Sequence, residues 1–328
     1  MRQVTRGLAL ALALLLCGCA AGEPVTEDVR YTVGVLLKSM QHQHWMDVRA
    51  GVLDAAKAEN VEVILLYPQE ESAVEEQREM FHDLVAAQPD AILLAPCDST
   101  DCAPLAAEAE QAGIALLALD TRAEDVSLPY IGADNYQVGR LAAQRLAEVL
   151  DGAGKTAVIA GVAEQAAHKE RIAGFQDALA EYDRMEVTAV VHADSDFMLA
   201  MERTAELMEA HPDLGGIFCT SAVMALGCVE QQSGAFYAVS PAVVAVDTQD
   251  DALNALQNGR LEGLVSQDGY EAGYQAVRQA VRLLEGNPIA DNTYITTELL
   301  TRSTVDEFMQ ERLRGAERTD YAESAVGG

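Results

Sequence analysis

Short apolar runs alternate with amphipathic segments along most of the chain, beginning at about residue 31. The first run, YTVGVLLK, is apolar almost throughout, as is typical of a strand buried on both faces of a parallel sheet, and VEVILLY follows from Val61. Between them, apolar residues recur at helical spacing and predict an amphipathic helix that ends at Asn60: Trp45, Val48, Val52 and Ala56. A right-handed crossover places the loop before this helix at the carboxyl end of the strand, where open α/β sheets bind ligands.

The same alternation continues in two series. Strand-like runs begin near residues 31, 61, 91 and 114, and again near residues 156, 185, 215 and 242. Helical patterns are predicted between them at 73–88, 103–112, 165–182, 197–211 and 222–233. Regular alternation of this kind predicts parallel sheets with helices on both faces. Two series of similar length therefore predict two lobes of one kind.

Several chain crossings between the lobes are expected. The segment Pro129–Asn135 separates the two series, and a helix is predicted after it at 136–150. A strand in LEGLVSQDG, a helix at 270–285 and a strand in YITTELL come last, and they are too few to form a third domain. We expect a first lobe of residues 31–133 plus 268–290, a second lobe of residues 134–267 plus 291–310, and a disordered polar tail at 311–328.

The amino-terminal segment has the pattern of an export signal. Arg2 and Arg6 precede an apolar run that is too short for an ordinary membrane span. Leu16-Cys17-Gly18-Cys19 then resembles the bacterial lipobox, which implies lipidation of Cys19, a signal peptide at 1–18 and a tether at 19–30. A plain secretory signal cleaved near residue 20 or 21 is the alternative. We expect an exported protein, in the periplasm or on the outer face of the cytoplasmic membrane, that contacts the membrane only through its lipid.

The net charge limits the classes of possible partner, and the cysteines raise the question of disulfides. The formal net charge is −30, from 22 basic and 52 acidic residues, so the chain should repel nucleic acid and anionic lipid surfaces. Export permits disulfides. Cys97 and Cys102 flank DSTD and are close enough in sequence for a local disulfide; two free thiols are the alternative. Cys219 and Cys228 are expected to be free buried thiols.

Two aspartates are candidate ligand residues because each ends an apolar strand, Asp120 in IALLALD and Asp247 in AVVAVD. A carboxylate at this edge points toward the ligand crevice and accepts hydrogen bonds from hydroxyl groups, which suits a sugar. Capping of the following helix is the alternative, above all for Asp247. Trp45, the only tryptophan, could stack on a sugar ring or belong to the core.

Metal and catalytic chemistry are not favoured. His42 and His44 would share a face of an extended segment, but no third group of ligands accompanies them, so no metal site is expected. No GxSxG motif is present, and the sequence pairs no nucleophile with a base, so we expect neither an enzyme nor a cofactor.

Segments in unbroken order resemble the ribose-type periplasmic sugar-binding proteins of ABC importers: LLAPCDSTDCAPL, ALD, IGADNYQVGR, KERIAGFQDAL, FCTSAVMALGCV, VVAVDTQ and LVSQDGYEAG. The similarity covers residues 31–301, nearly the whole expected mature chain. It implies an α/β fold of two Rossmann-like lobes, the type I periplasmic binding protein fold, with parallel sheets flanked by helices and a multi-crossing hinge.

The resemblance also assigns site residues. It implies that Asp120 and Asp247 are ligand carboxylates from the first and second lobes. Gln267 matches a hinge glutamine that reaches the sugar, and Asp134 lies at the other hinge. Lys169 takes the place of an arginine that clamps sugar oxygens; it keeps the charge and loses the bidentate fork.

Other positions of the family's polar shell carry different residues. The replacements are His44 and Trp45 for two flanking aromatics, His42 for an asparagine, Thr121 for an arginine, Ser221-Ala222 for an Asn-Asp pair, and Ser195 for a further aromatic. The scaffold therefore matches the family well, whereas the changed polar residues do not indicate ribose in particular as the ligand.

The resulting expectation is a monomeric receptor whose lobes close on one small polar molecule, a sugar or polyol, and which then docks on an ABC importer permease. A sensory receptor that reports to a membrane kinase or chemoreceptor is the runner-up. A non-sugar solute such as a nucleoside, or an enzyme on the same frame, are further alternatives.

Overall fold

The computed structural model describes residues 29–234 and 240–312, which form two lobes, each built on one sheet of six strands. The first sheet has the order β11-β5-β4-β3-β1-β2, and every neighbouring pair is parallel. Its strands are β1 Thr32–Leu36, β2 Glu62–Leu66, β3 Ala91–Leu94, β4 Ala115–Leu119, β5 Tyr130–Ala133 and β11 Asn292–Ile295.

The second sheet has the order β12-β10-β9-β8-β6-β7 and repeats the arrangement of the first. Its pairs are parallel except that β12 runs antiparallel to β10. The strands are β6 Ala153–Ala160, β7 Arg184–His192, β8 Leu214–Cys219, β9 Ala242–Val246, β10 Gly263–Gln267 and β12 Thr297–Leu300.

Helices cover both faces of each sheet, so each lobe has two apolar cores, one on either side. The helices are α1 Gln43–Glu59, α2 Val74–Ala86, α3 Ala103–Ala112, α4 Asn135–Val149, α5 Ala166–Leu179, α6 Phe197–Ala210, α7 Ala222–Gly234, α8 Asp250–Gln257 and α9 Gly269–Leu284. A further helical stretch spans 305–312. The predicted α/β fold of two parallel-sheet lobes is confirmed.

The chain passes between the lobes three times within the described residues: from β5 to α4, from β10 to α9 and from β11 to β12. The last passage differs from the expected boundary at residue 290. YITTELL is not one strand, because β11 pairs with β5 in the first sheet and β12 pairs with β10 in the second. Ile295 is buried in the core of the first lobe and Leu300 in that of the second, so the chain changes lobe at residue 296.

Other expectations are corrected or lie outside the described residues. The segment expected to be only a crossing contains the strand β5, and residues 311 and 312, expected to begin the tail, are helical. Cys97 and Cys102 are free thiols, not a disulfide, and burial first of all raises the pKa of each to about 12. Cys219 and Cys228 are likewise buried and free. The signal peptide with Cys19, most of the tether and residues 313–328 are outside the described ranges.

Within residues 29–234 and 240–312, no helix combines the length and apolar character that crossing a bilayer requires.

Paired glycines let two helices in each lobe approach until their backbones touch. In the first lobe, a Cβ on Gly51 would lie 1.9 Å from Tyr270 O, and a Cβ on Gly273 would lie 2.0 Å from Val48 O. In the second lobe, the crossing of α4 and α5 has the same character, since a Cβ on Gly139 would lie 2.0 Å from Arg171 O. The crossings fix α1 and α5, the helices that follow the first strand of each lobe.

Gly273→Ala should therefore destabilise the protein by about 1–3 kcal/mol, because the added methyl group overlaps a carbonyl of α1 that cannot move without shifting the helix. Gly234→Ala is the matched control. Nothing lies within 4 Å of its added Cβ, and replacing a helical glycine by alanine stabilises by about 0.5–1 kcal/mol. Urea unfolding measures both variants. Equal stability of the two would show that the crossing is not tightly packed.

Candidate ligand-binding site

The carboxyl ends of the strands of both sheets border one cleft between the lobes. The space between the lobes that contains no protein atoms is about 460 Å³, its open mouth included. The first lobe contributes Lys38, His42, His44, Trp45, Glu71 and Asp120 to its wall, and the second lobe contributes Ala167, His168, Arg171, Ser195, Ser221, Val223, Asp247 and Gln249, with Gln267 at a crossing.

Asp120 and Asp247 occupy equivalent places in the two lobes, directly after β4 and β9. Both have left-handed backbone conformations, with φ of 64° and 80°. Such conformations are disfavoured outside glycine and concentrate at functional sites. Ser195, after β7, also has a positive φ of 58°. Asp247 is not a helix cap, because α8 is preceded by Gln249 at its N-cap position and the Asp247 side chain accepts a hydrogen bond from Gln267 Nε2 instead.

A buried cluster of charges surrounds Asp120. Its Oδ1 lies 2.7 Å from His44 Nε2, its Oδ2 accepts from Thr121 Oγ1 at 2.9 Å, and Lys38 Nζ is 3.6 Å away. Burial acts to raise the pKa of Asp120, but His44, Lys38 and Arg171 outweigh it and hold that pKa well below its usual range. Burial also acts to lower the pKa of His44, yet the Asp120 charge and hydrogen bond raise it above 6.5 overall. Both shifts favour the charged forms, a protonated His44 ring beside an ionised Asp120.

Arg171 is a cleft cation that the sequence analysis missed. It is 4% exposed and donates from Nε to Asn135 Oδ1 at 2.9 Å, from Nη1 to Thr220 O at 2.7 Å and from Nη2 to Gln267 Oε1 at 3.1 Å. All three acceptors are neutral, so no carboxylate of the described chain is among its hydrogen-bond partners. A guanidinium has five N–H donors. The donors that remain are available to a molecule in the cleft.

His168 lies beside Arg171 in the second-lobe wall, and its Nδ1 is 2.9 Å from Thr220 Oγ1. Burial, followed by the charges of Arg171 and Lys38, lowers the pKa of His168 well below 6.5. The ring is therefore neutral at physiological pH, whereas the pKa of His44 across the cleft is shifted in the opposite direction.

Ser221 supplies a hydroxyl that has no partner. Its Oγ is the one buried side-chain N or O atom in the described ranges that lacks a hydrogen bond, and it lies in the cleft wall. A buried polar atom without a partner is destabilising, so such an atom at a cleft indicates a ligand contact. Because a hydroxyl group can both accept and donate a hydrogen bond, the second-lobe wall offers a ligand an acceptor as well as donors.

Trp45 belongs both to the core and to the cleft wall. It is 2% exposed, and its Nε1 donates to Glu71 Oε1 at 2.7 Å. Lys38 Nζ lies 5.3 Å from the centroid of its ring system, a cation–π distance, and the His44 ring meets it edge-on at 5.0 Å. With 2% of Trp45 exposed, only a small part of the indole can touch a ligand in this arrangement.

Seven of the ten predicted ligand residues line the cleft, and three do not. Thr121 is buried behind Asp120 and orients its carboxylate. Asp134 caps α4 by accepting from Gln137 N at 3.0 Å. Lys169 points to the surface, where it pairs with Glu124 of the first lobe at 2.7 Å. The arginine that lines the cleft from this helix is Arg171, two residues later.

The wall residues that the sequence analysis missed left only weak signals. Lys38 comes two residues after β1, so its position at the ligand edge could have been inferred from that place alone. Arg171 is three residues before Gly174 and four after Ala167, on the buried face of α5. Glu71, His168 and Gln249 follow no pattern that separates them from ordinary loop and helix residues.

The lobes also contact each other directly at the margin of the cleft. Gln165 of the second lobe is completely buried between two groups of the first: it accepts from Lys38 Nζ at 2.8 Å and donates to Glu71 O at 3.2 Å. Beside it, Ala166 N donates to Ser99 Oγ at 2.9 Å. Lys38 is therefore held in the wall by a partner from each lobe, Asp120 of the first and Gln165 of the second.

The chemistry of the wall is suited to hydrogen bonding with hydroxyl groups. It combines carboxylate acceptors, a guanidinium donor, a free hydroxyl and amides, with a few apolar side chains. The parts of the chain that the structure describes contain no cluster of three or more His, Cys, Asp or Glu residues suited to a metal ion.

Two parallel-sheet lobes joined by several crossings around a polar cleft define the class of two-lobed solute-binding proteins. Residues 33–288 match the model of a family described as the periplasmic binding protein domain, and the chain belongs to that family.

The similar proteins are distant in sequence and close in fold. A ribose import binding protein of Bacillus subtilis is 25% identical over 260 residues, which cover 79% of this chain and 83% of that protein. A D-allose-binding periplasmic protein of Escherichia coli is 25% identical over 256 residues, which cover 75% and 82%. A carbohydrate transporter solute-binding protein of Agrobacterium radiobacter, in complex with D-arabinose, matches with a TM-score of 0.81 and 26% identity over 86% of this chain and 98% of its own.

The ion pair of His44 and Asp120 predicts a pH dependence of stability. Because the pKa of His44 is raised above its unfolded value of 6.5, the pair should stabilise fully below about pH 6.5 and lose its effect as pH rises through the folded pKa. His44→Gln should therefore lower the free energy of unfolding more at pH 6 than at pH 9.

His82→Gln is the control for this measurement, because His82 is 52% exposed and pairs with Glu108 at the surface, where ion pairs contribute little. Denaturant unfolding at both pH values measures the two variants. A loss for His44→Gln that is equal at pH 6 and pH 9 would contradict the charged pair.

Proposed function

We propose that this protein is an extracytoplasmic receptor that binds one neutral sugar or polyol between its lobes and delivers it to an ABC importer. The observation that carries the proposal is the pair of aspartates, Asp120 and Asp247, which opposite lobes present to one cleft in the same uncommon backbone conformation. Two carboxylates on opposite walls can accept hydrogen bonds from hydroxyl groups on different sides of one small molecule.

The charge arrangement favours a ligand without net charge. In the first lobe, the wall carries two cations, Lys38 and His44, and two carboxylates, Asp120 and Glu71, so its formal charges balance. In the second lobe, Arg171 and Asp247 are joined through Gln267, which bonds to both. A charged ligand would leave one of these groups unbalanced in a buried place, whereas hydroxyl groups can bond to all of them.

The apolar part of the wall fits the C–H faces of a sugar ring or polyol chain. It consists of the accessible part of Trp45 from the first lobe and of Ala167 and Val223 from the second. These side chains are small apart from the indole, so the ligand is held mainly by hydrogen bonds.

Relatives support this class of ligand. The similar proteins named above are described as binding ribose and D-allose, and the solved structure holds D-arabinose. All three are neutral monosaccharides. The differences at His42, His44 and Ser221 make the particular sugar a property of this chain.

Binding would proceed by closure about the crossings. The ligand bridges the lobes, and the bonds of Gln165 at the margin add to the closed arrangement. The receptor acts as a monomer without a cofactor, is tethered through lipid on Cys19, and presents its closed form to the permease. A sensory receptor would use the same cleft. Genes for a permease and an ATPase beside this one would support import, and a kinase gene there would support sensing.

The direct test is a thermal-shift screen, because a ligand that binds the native state raises the melting temperature. The panel contains D-ribose, D-allose, D-arabinose, D-fucose, xylitol, a nucleoside and a sugar acid. We expect a rise with at least one neutral sugar or polyol and none with the sugar acid. A shift with the nucleoside or the sugar acid alone, or with no compound, would reject the proposed ligand class.

Asp247→Asn should weaken binding of the neutral compound found in this screen at least tenfold, since hydrogen bonds to a charged acceptor contribute roughly 1–3 kcal/mol and a factor of ten is about 1.4 kcal/mol. Asn keeps an acceptor for Gln267 and tolerates a positive φ, so the melting temperature without the compound should change little.

Asp134→Asn is the matched control. Asp134 caps α4 and does not line the cleft, and asparagine caps about as well as aspartate, so affinity should be unchanged. Calorimetric titration measures both variants. Equal affinity of Asp247→Asn and the wild type would remove Asp247 from the site.

A further inference from the structure

The first residue of α4 is a buried asparagine that is outside the cleft wall. Asn135 is 1% exposed and follows the passage from β5 into the second lobe. Neither capping nor ligand contact explains it, because Asp134 caps the helix and the cleft is lined by other residues. A buried amide in this place needs partners for both its oxygen and its nitrogen.

Both polar atoms of the Asn135 side-chain amide form hydrogen bonds in which donor and acceptor can be assigned. Oδ1 accepts from Arg171 Nε at 2.9 Å, and Nδ2 donates to Tyr130 Oη at 3.3 Å. Because a guanidinium only donates, the atom facing Arg171 must be the amide oxygen. The orientation of the amide is therefore set by chemistry.

Asn135 is the central member of a chain of hydrogen bonds that joins the two lobes. On one side, Tyr130 Oη lies 2.9 Å from the carbonyl oxygen of Asp120. On the other side, Arg171 bonds to Gln267, and Gln267 bonds to Asp247. This series of hydrogen bonds starts at the backbone of Asp120 in the first lobe and ends at the side chain of Asp247 in the second.

The Nε bond of Arg171 has a special role in this chain. The bonds of Nη1 to Thr220 O and of Nη2 to Gln267 Oε1 hold the outer end of the guanidinium. The bond of Nε to Asn135 holds its inner edge and so prevents rotation of the plane. Without it, Nε–H would be a buried donor with no acceptor, and the plane would turn to find one.

The neutrality of Asn135 matters as well. Aspartate would accept the same hydrogen bond but would pair with the guanidinium and neutralise it. With asparagine, all three hydrogen-bond acceptors of Arg171 are neutral. The positive charge of Arg171 therefore still acts in the cleft, where it is the second cause, next to burial, that lowers the pKa of His168.

We propose that Asn135 is the positioning residue for Arg171: it fixes the guanidinium plane from behind the cleft wall while leaving its charge to the ligand. The role in binding rests on the proposed function. The orientation of Arg171 does not, so it can be tested separately.

The orientation is tested in the protein alone by the exchange of arginine Nε–H protons in ¹⁵N-labelled samples. The Arg171 Nε–H signal is identified by its loss in Arg171→Lys and should exchange slowly. In Asn135→Ala its exchange should be at least tenfold faster, and in Asn135→Asp, which keeps the acceptor oxygen, slow exchange should return. Unchanged exchange in Asn135→Ala would overturn the proposal whether or not any sugar binds.

Tyr136→Phe is the control for the helix. It removes a bond to Asp177 at the surface of α4, one residue away, and should leave both the Arg171 signal and sugar affinity unchanged. If Asn135→Ala does not fold, Asn135→Ser, which keeps a shorter acceptor, takes its place with the same expectation of faster exchange.

The binding role is tested with the neutral sugar or polyol that gives the largest thermal shift with the wild type. Asn135→Ala should bind it at least tenfold more weakly, although Asn135 does not touch it. Faster Nε–H exchange with unchanged affinity would overturn the role in binding. Absence of any shift with the wild type would reject the proposed function, while the exchange measurement would still decide whether Asn135 positions Arg171.

Discussion

The site depends on the burial of charge between two lobes. Lys38, Asp120 and Arg171 are each less than a tenth exposed, and His44 is only slightly more accessible. An isolated ion in such a place would cost several kcal/mol, so each of these groups needs partners with good geometry. This requirement determines where the surrounding polar residues lie. Thr121 and His44 serve Asp120, Gln165 serves Lys38, and Asn135 serves Arg171.

Those partners are held by the packing of helices at short range. The glycine crossings of α1 with α9 and of α4 with α5 bring backbones into contact, and α1 and α5 carry His44 and Arg171 to the cleft. A side chain at either crossing would push its helix outward and move the charged group away from its partner. The precision of the polar cluster thus depends on residues that have no polar side chain, in the same way in both lobes.

The passages between the lobes are part of the site and do not only connect its halves. Gln267 ends β10 at one passage and bonds to both Arg171 and Asp247. Tyr130 and Asn135 lie on either side of another. A change in the angle between the lobes would therefore act on the cleft through hydrogen bonds as well as through distance. This linkage is the physical basis on which ligand binding and closure can be coupled.

The sequence by itself determined the alternation of strands and helices, the two lobes and the strand-end positions of Asp120 and Asp247, because these follow from local periodicity and from the place of a residue along its strand. Only the tertiary structure decided what depends on which face is buried. Lys169 and Arg171 are two residues apart, a rotation of roughly 200° on a helix, so one reaches the surface and the other the cleft. YITTELL reads as one strand, yet its first half is an edge strand of the first sheet, beside β5, and its second half is an edge strand of the second, beside β10. Asn135 and Gln165 became visible as partners only when buried charges from distant parts of the chain came together beside them.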